Sequence, residues 1–300
     1  MAKARIIYIT GMKPKPHPVL HRSELTRVLG TSLGRIKPEA ARWLRARPEN
    51  FVLVSWTTEL YPGHRDIALD LPGIEQLLQQ PLPSVVDRRE AAALGLRLRR
   101  AWHLIGDSFP WLSNLVAPES LKVTLADVYR YLQNRDGVAE RIRRQLIDQL
   151  DLAFADGDRV LLIGHSLGSV IAYDSLWHLS REAGRQEHVE LLLTLGSPLA
   201  TRFIRHGLQG ADQPGVLRYP DNIDRWVNVA AYGEMVALHR RIKPFFAGML
   251  RLGLIQSIDD EPAIYNHFRG EFGLDVHKSY GYLNHAVVAS RICRWLDYSS

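Results

Sequence analysis

A single cysteine, Cys293, stands in 300 residues, so no disulfide can close within the chain. Met1-Ala2-Lys3 runs straight into a strand-like stretch with no charged, apolar and small-residue leader, and the expected compartment is cytoplasmic. No apolar run approaches the roughly 20 residues that cross a bilayer, so membrane contact is expected only at the periphery. Zinc-ligand spacing, a glycine-rich phosphate loop and nucleic-acid-binding motifs are all missing, and no nucleic-acid partner is expected. The net charge of +6 would suit an anionic partner, but the arginines are spread over helical stretches instead of forming one block. There is no repeat, no low-complexity tract and no mark of an oligomeric state. What is present is 46% hydrophobic residues, enough for one large domain with a core on both sides of a sheet, which excludes a disordered chain.

Short β-branched or apolar runs alternate with longer stretches of helical period, the pattern of a parallel sheet with crossover helices. The runs are Arg5 to Thr10, Phe51 to Trp56, Arg159 to Gly164, Glu190 to Leu195 and Arg225 to Ala230, giving five strands as a minimum. Several lack alternation, as strands buried on both faces do. Ile142, Leu146, Leu150 and Phe154 recur every four residues, Val170, Tyr173, Asp174 and Trp177 share a helix face, and Ala286 to Leu296 reads as a closing helix. The interval from Leu60 to about Leu121 is too long for an ordinary connection. With its prolines placed around a helical run from Val85 to Ile105, it is read as a cap insertion in a single domain spanning 1–300.

The strongest local signal is DRVLLIGHSLGSVIAYDSLWHL, residues 158–179, a buried strand that enters Gly164-His165-Ser166-Leu167-Gly168 and continues as an apolar helix. A serine hydroxyl becomes a nucleophile only where a base can reach it, and a sharp strand-to-helix turn lifts its Oγ above the sheet edge. Helix and strand come so close in that turn that Gly164 and Gly168 are needed as structural hinges of the elbow. The pattern G-x-S-x-G alone is weak, arising by chance on the order of 0.1 times in such a chain. A second match, Gly30-Thr31-Ser32-Leu33-Gly34, follows a helical stretch and not a strand, so Ser32 is expected in a helix C-terminal turn at a glycine.

The GHSLG elbow, the VIAYDSL that follows, ELLLTLGSPL, RWVNVAAYGEMVAL and the late HKSYGYLNH together resemble bacterial α/β-hydrolases of the lipase and esterase kind, specifically from about Asp158 to Leu296. The resemblance implies an α/β-hydrolase fold, a mostly parallel sheet flanked by helices with a helical cap. It also implies the order serine, acid, histidine, with the acid on the loop after the strand that follows GSPL and the histidine just before the last helix.

Only imidazole both accepts a proton near neutral pH and returns it to a leaving group, so the base must be a histidine. Of His239, His267, His277 and His285, the first sits among like charges and the second has no parallel in the resemblance. His277, in a turn-like loop before the last helix, takes the implied position, whereas His285 is expected to cap that helix. Glu234, four residues past RWVNVA, fits the place of the acid, although the resemblance commonly has aspartate there; Asp259 and Asp260 are the alternatives. Asp224 and Asp275 read as solvated loop charges, and Asp174 as an anchor for backbone. One oxyanion donor is expected at the Leu167 N–H. The other should come from Gly11, Met12 or Lys13, since Pro14 and Pro16 have no N–H, and Met12 is favoured. Lys13, Lys15, His17 and His21 make a basic rim that either attracts acidic substrates or is merely solvated.

The expected chemistry is acyl transfer: His277 takes the Ser166 proton, Ser166 attacks the acyl carbon of a small-molecule or lipid ester, and water releases the product. No metal or organic cofactor is required. An acyltransferase or thioesterase would use the same residues, and a catalytically silent binding module is the rival from outside enzymology. Within 239–256, Ile242, Phe245, Phe246, Met249 and Leu250 share a helix face edged by basic residues. That face either packs on the body or forms a flap touching an acyl chain or a membrane surface.

Overall fold

The computed structural model describes residues 3–94, 119–234 and 240–297, the side chains of 119–125 excepted. Six strands form one parallel sheet: β1 (Ala4–Ile9), β2 (Phe51–Val54), β3 (Arg159–His165), β4 (Val189–Leu195), β5 (Ile223–Ala231) and β6 (Ser257–Ile264), in the order β2-β1-β3-β4-β5-β6. The chain is of the α/β class, a parallel sheet flanked by helices. The five expected runs are all strands. The sixth, SIDDEPAI, escapes a reading by hydrophobic pattern because three acids and Pro262 interrupt it. It is an edge strand, where such residues are tolerated and discourage pairing with another chain.

The helices are α1 (Pro18–Ile36), α2 (Pro38–Ala46), α3 (Leu71–Gln79), α4 (Glu119–Leu132), α5 (Val138–Ala155), α6 (Leu167–Trp177), α7 (Arg202–Gly207), α8 (Lys243–Arg251), α9 (Ser279–Leu283) and α10 (Ala286–Asp297), and residues 85–94 are also helical. Successive side chains of a strand point to opposite faces, and the core divides accordingly. Ile7, Ile9, Val160, Leu162 and Trp226 pack on α5, α6 and α8, while Ile6, Tyr8, Leu161, Ile163 and Val229 pack on α1, α2, α3 and α10. Ile142, Leu146 and Leu150 face the first of these layers, as their four-residue spacing requires.

One expectation changes. Ser32 is not in a terminal turn: α1 continues through Gly30 to Ile36, and Ser32 is buried with its hydroxyl donating to the Asn284 carbonyl at 2.9 Å. Gly30 and Gly34 serve the crossing of α2, since a Cβ on Gly30 would lie 3.2 Å from Arg45 Nε and one on Gly34 3.5 Å from Ala41 Cβ. The interval after Leu60 begins with α3, whose Ile74 and Leu77 enter the same core as α1 and α10. The rest of that interval, 95–118, lies outside the described residues. In the segment 239–256, Ile242, Phe246 and Met249 are buried in the core, Phe246 against Tyr173 and Trp226, so of the two readings of this face the one that packs on the body fits; His239 lies outside the described residues. Among the described residues no helix is long and apolar enough to cross a membrane.

Three histidines are built into the body. Burial lowers His21 to about 3 and His285 to about 4, and holds His165 well below the usual imidazole value of 6.5. The unfolded chain protonates these rings near 6.5 and the folded chain does not, so their contribution to stability is lost as pH falls from that value. Asp174 acts in the opposite sense: burial raises it to about 6, and the folded state gains relative stability as pH falls from there toward 3.8. Three groups against one predict a melting temperature that declines from pH 7 to pH 5. A His21→Phe variant should show a shallower decline in the same melts; an unchanged or rising melting temperature in the parent chain would refute the account.

Candidate functional site

The chain leaves β1 for β2 on one side and later builds β3 to β6 on the other, so the direction of winding reverses between β1 and β3. In open parallel sheets the crevice at that reversal, beyond the carboxyl ends of the strands, is where ligands bind. Register places Ile9 opposite Gly164, His165 opposite Leu195 and Leu195 opposite Val229. The residues just past these pairs, Thr10-Gly11, Ser166, Gly196 and Ala231 to Glu234, therefore share one edge of the sheet.

Ser166 joins β3 to α6 at φ 54°, ψ −127°, a conformation that a non-glycine residue adopts only where its surroundings enforce it. Its N–H donates to Leu195 O at 2.9 Å, and its carbonyl accepts from Ser169 N at 2.9 Å and Ser169 Oγ at 2.6 Å. The flanking glycines are required by space: a Cβ on Gly164 would lie 2.7 Å from Ser169 Cα, and one on Gly168 2.6 Å from Thr10 O. Leu167 opens α6, so its N–H belongs to the helix-start donors that have no partner within the helix, at the positive end of the dipole.

The Glu234 side chain is fully buried, and three donors meet its carboxylate: His277 Nδ1–H, the Tyr282 hydroxyl and the Ala231 N–H at 3.2 Å. Burial and the adjacent Glu234 charge hold the Tyr282 phenol well above its usual range, so it remains a donor. Gly196, at φ 57°, leaves the room these groups occupy, for a Cβ there would press on Glu234 Oε1 and lie 3.1 Å from His277 Nδ1. Its neighbour Leu195 is the residue that accepts the Ser166 N–H, so Ser166 and the Glu234–His277 pair converge on Leu195-Gly196.

The His277 loop is fastened from several sides. Asp275 Oδ1 accepts the His277 N–H at 3.0 Å, and Asn266 Nδ2 donates to Lys278 O at 2.8 Å. His165 Nε2 lies 2.8 Å from the His277 carbonyl. A carbonyl only accepts, so this nitrogen carries the proton of the neutral His165 ring. The His165 and His277 rings stand 4.8 Å apart. His165 and Tyr282 were not singled out in the sequence; a histidine inside G-x-S-x-G and a tyrosine in SYGYLNH carry no pattern of their own.

The remaining candidates have structural partners. Asp260 receives Ile242 N at 2.9 Å, Lys243 N at 3.1 Å and Asn228 Nδ2 at 3.1 Å, tying down the start of α8. Asp259 pairs with Arg291, and His285 Nδ1 accepts Val287 N at 3.2 Å, capping α10. His267 bonds Gln80 O, and Asp224 pairs with His188. Asp174 anchors Gln209 N at 2.9 Å and accepts the Tyr131 hydroxyl at 3.0 Å.

Past β1, Gly11 presses against the elbow: a Cβ on it would lie 2.7 Å from Ser166 Cβ. The Lys13 amide faces the Tyr61 hydroxyl, which leaves the Gly11 and Met12 amides as the remaining candidate donors of this loop. The Met12 side chain is buried in the core, and its carbonyl accepts Lys15 Nζ at 2.6 Å. Of the expected rim, Lys13 and His17 are exposed and Lys15 is half-buried, but His21 is in the core and neutral, because its position on α1 turns it beneath Tyr280. No protein-family model, characterised protein or solved structure matches this chain.

Proposed function

We propose that the chain is a serine hydrolase of the α/β-hydrolase fold that cleaves a carboxylic ester or related acyl bond. The observation that carries the reading is the convergence on Leu195-Gly196 of a serine at a left-handed strand-to-helix elbow and a histidine whose Nδ1–H is fixed on a buried carboxylate. With Nδ1 protonated and bound to Glu234, the His277 Nε2 is the basic nitrogen, free to take the Ser166 proton and later return it to the leaving group. Glu234 orients the ring and stabilises the imidazolium formed during attack. The N–H groups of Leu167 and Met12 receive the developing oxyanion, the first reinforced by the α6 dipole. His165, through the His277 carbonyl, acts as a positioning residue.

An activated serine, whatever its substrate, reacts with a fluorophosphonate. The wild-type chain should take up one equivalent of such a probe, and peptide mapping should place the label on Ser166. Labelling that is absent, or that falls on another serine, would overturn the reading.

A further inference from the structure

The loop that supplies Met12 also carries a charge without a counter-ion. Arg65 N donates to Lys15 O at 2.9 Å and so ties the connection after β2 to this loop. The buried Asp70 on that connection is taken by two other cations, Arg65 Nη1 at 2.5 Å and Lys278 Nζ at 2.8 Å, and Asp275 is turned to the His277 N–H. Lys15 spends one proton on Met12 O, and among the described residues no carboxylate pairs with Lys15 or Lys13. Around Lys15 thus stand Lys13 on its own loop, Arg65 and Asp70 on the connection after β2, Lys278 and Asp275 on the His277 loop, and the neutral His21 on α1. Four cations face two carboxylates. The fully buried Tyr280 hydroxyl, close to Asp70 and Arg65, also has no hydrogen-bond partner among the described residues. Burial, with Lys278 and Lys13 next in effect, lowers the Lys15 ammonium to about 7, and an incoming anion would relieve that repulsion.

We propose that Lys15, assisted by Lys13, binds an anionic group of the substrate, carboxylate or phosphate oxygens, so that the preferred ester carries a negative charge beside its scissile bond. This rests on the reading of Ser166 as nucleophile. Lys15 is joined to the carbonyl of the residue whose N–H faces the oxyanion, so the subsite and the reacting carbon are held by one short loop.

The test pairs p-nitrophenyl succinate, which has a free carboxylate, with its neutral methyl ester. At pH 6 the wild-type KM should be about tenfold lower for the charged ester, in keeping with one charge-assisted contact. The ratio should collapse toward one in Lys15→Met and persist in Lys15→Arg. It should also shrink between pH 6 and pH 8 as Lys15 loses its proton. Succinate and inorganic phosphate as competitors tell which anion is preferred, and each should inhibit the wild type more than Lys15→Met. Equal KM values for the two esters in the wild type, or an equal loss on both in Lys15→Met with no change in ratio, would overturn the proposal and leave Lys15 as a clip for Met12. If neither ester is cleaved and no fluorophosphonate is taken up, the nucleophile reading fails. The subsite is then judged by melting: stabilisation by succinate or phosphate at pH 6 that vanishes in Lys15→Met supports it, and equal responses refute it.

Discussion

Ser166→Ala is expected to lower kcat on a short activated ester by a factor on the order of 10⁵, while Ser32→Ala leaves kcat within about twofold. The two serines lie in the same five-residue pattern, which makes each the control for the other. Ser166 stands at a strand-to-helix turn with left-handed backbone, at the sheet edge where Gly11 and Gly196 leave space. Ser32 lies inside α1, and its hydroxyl is committed to Asn284 O. Losing that bond should appear as roughly 1 kcal/mol of stability and not as a rate effect. Progress curves with p-nitrophenyl acetate, run beside denaturant unfolding of both variants, separate the two outcomes. A Ser32 variant that folds and is inactive would sink the assignment.

His277→Ala should be about as damaging as Ser166→Ala, again on the order of 10⁵ in kcat, because neither member of a proton-transfer pair works alone. Glu234→Ala should cost on the order of 10⁴, since an unsupported imidazole still acts weakly as a base. It also leaves the Tyr282 hydroxyl without its buried acceptor, so a loss of stability should accompany it. His285→Ala removes only the bond to Val287 N and should keep most activity. Steady-state kinetics on these variants, with Asp259→Ala and Asp260→Ala beside them, decide the matter. Near-full activity in Glu234→Ala, with Asp259→Ala or Asp260→Ala inactive, would show that the acid comes from β6.

Much of this was legible in the chain because buried parallel strands and a glycine-bracketed elbow write themselves in local composition. RVLLIG needs no partner to be recognised, and the crowding that requires Gly164 and Gly168 is a contact between neighbours in sequence. Glu234 and His277 were approachable through their places after β5 and before α10, with the resemblance supplying the order. The failures share a different cause. Whether Gly30 ends a helix or admits another depends on Arg45 and Ala41 of α2, and whether His21 is rim or core depends on Tyr280, more than 250 residues away. Asp259, Asp260 and Glu261 conceal a strand because their side chains are satisfied by Arg291 and by the start of α8, not by water alone. His165 and Tyr282 are joined to a carbonyl and a carboxylate that only the folded chain brings within reach.

The place of β1 between β2 and β3 has a consequence for how the molecule is made. β1 is synthesised before the other strands of the sheet, yet its inner neighbour β3 follows only after β2 and a long intervening segment, as the pairing of Ala4 with Arg159 requires. Until then β1 and β2 form at most a two-stranded ribbon with both edges open, a unit too small to persist on its own. The wall that Gly11 presents to Ser166 is therefore a late product of tertiary assembly, as is the seat of the Glu234–His277 pair against Gly196 and His165. A nascent chain stalled before β3 would expose the apolar edge of β1 to any other strand in its vicinity, and this is the stage at which misassembly should concentrate.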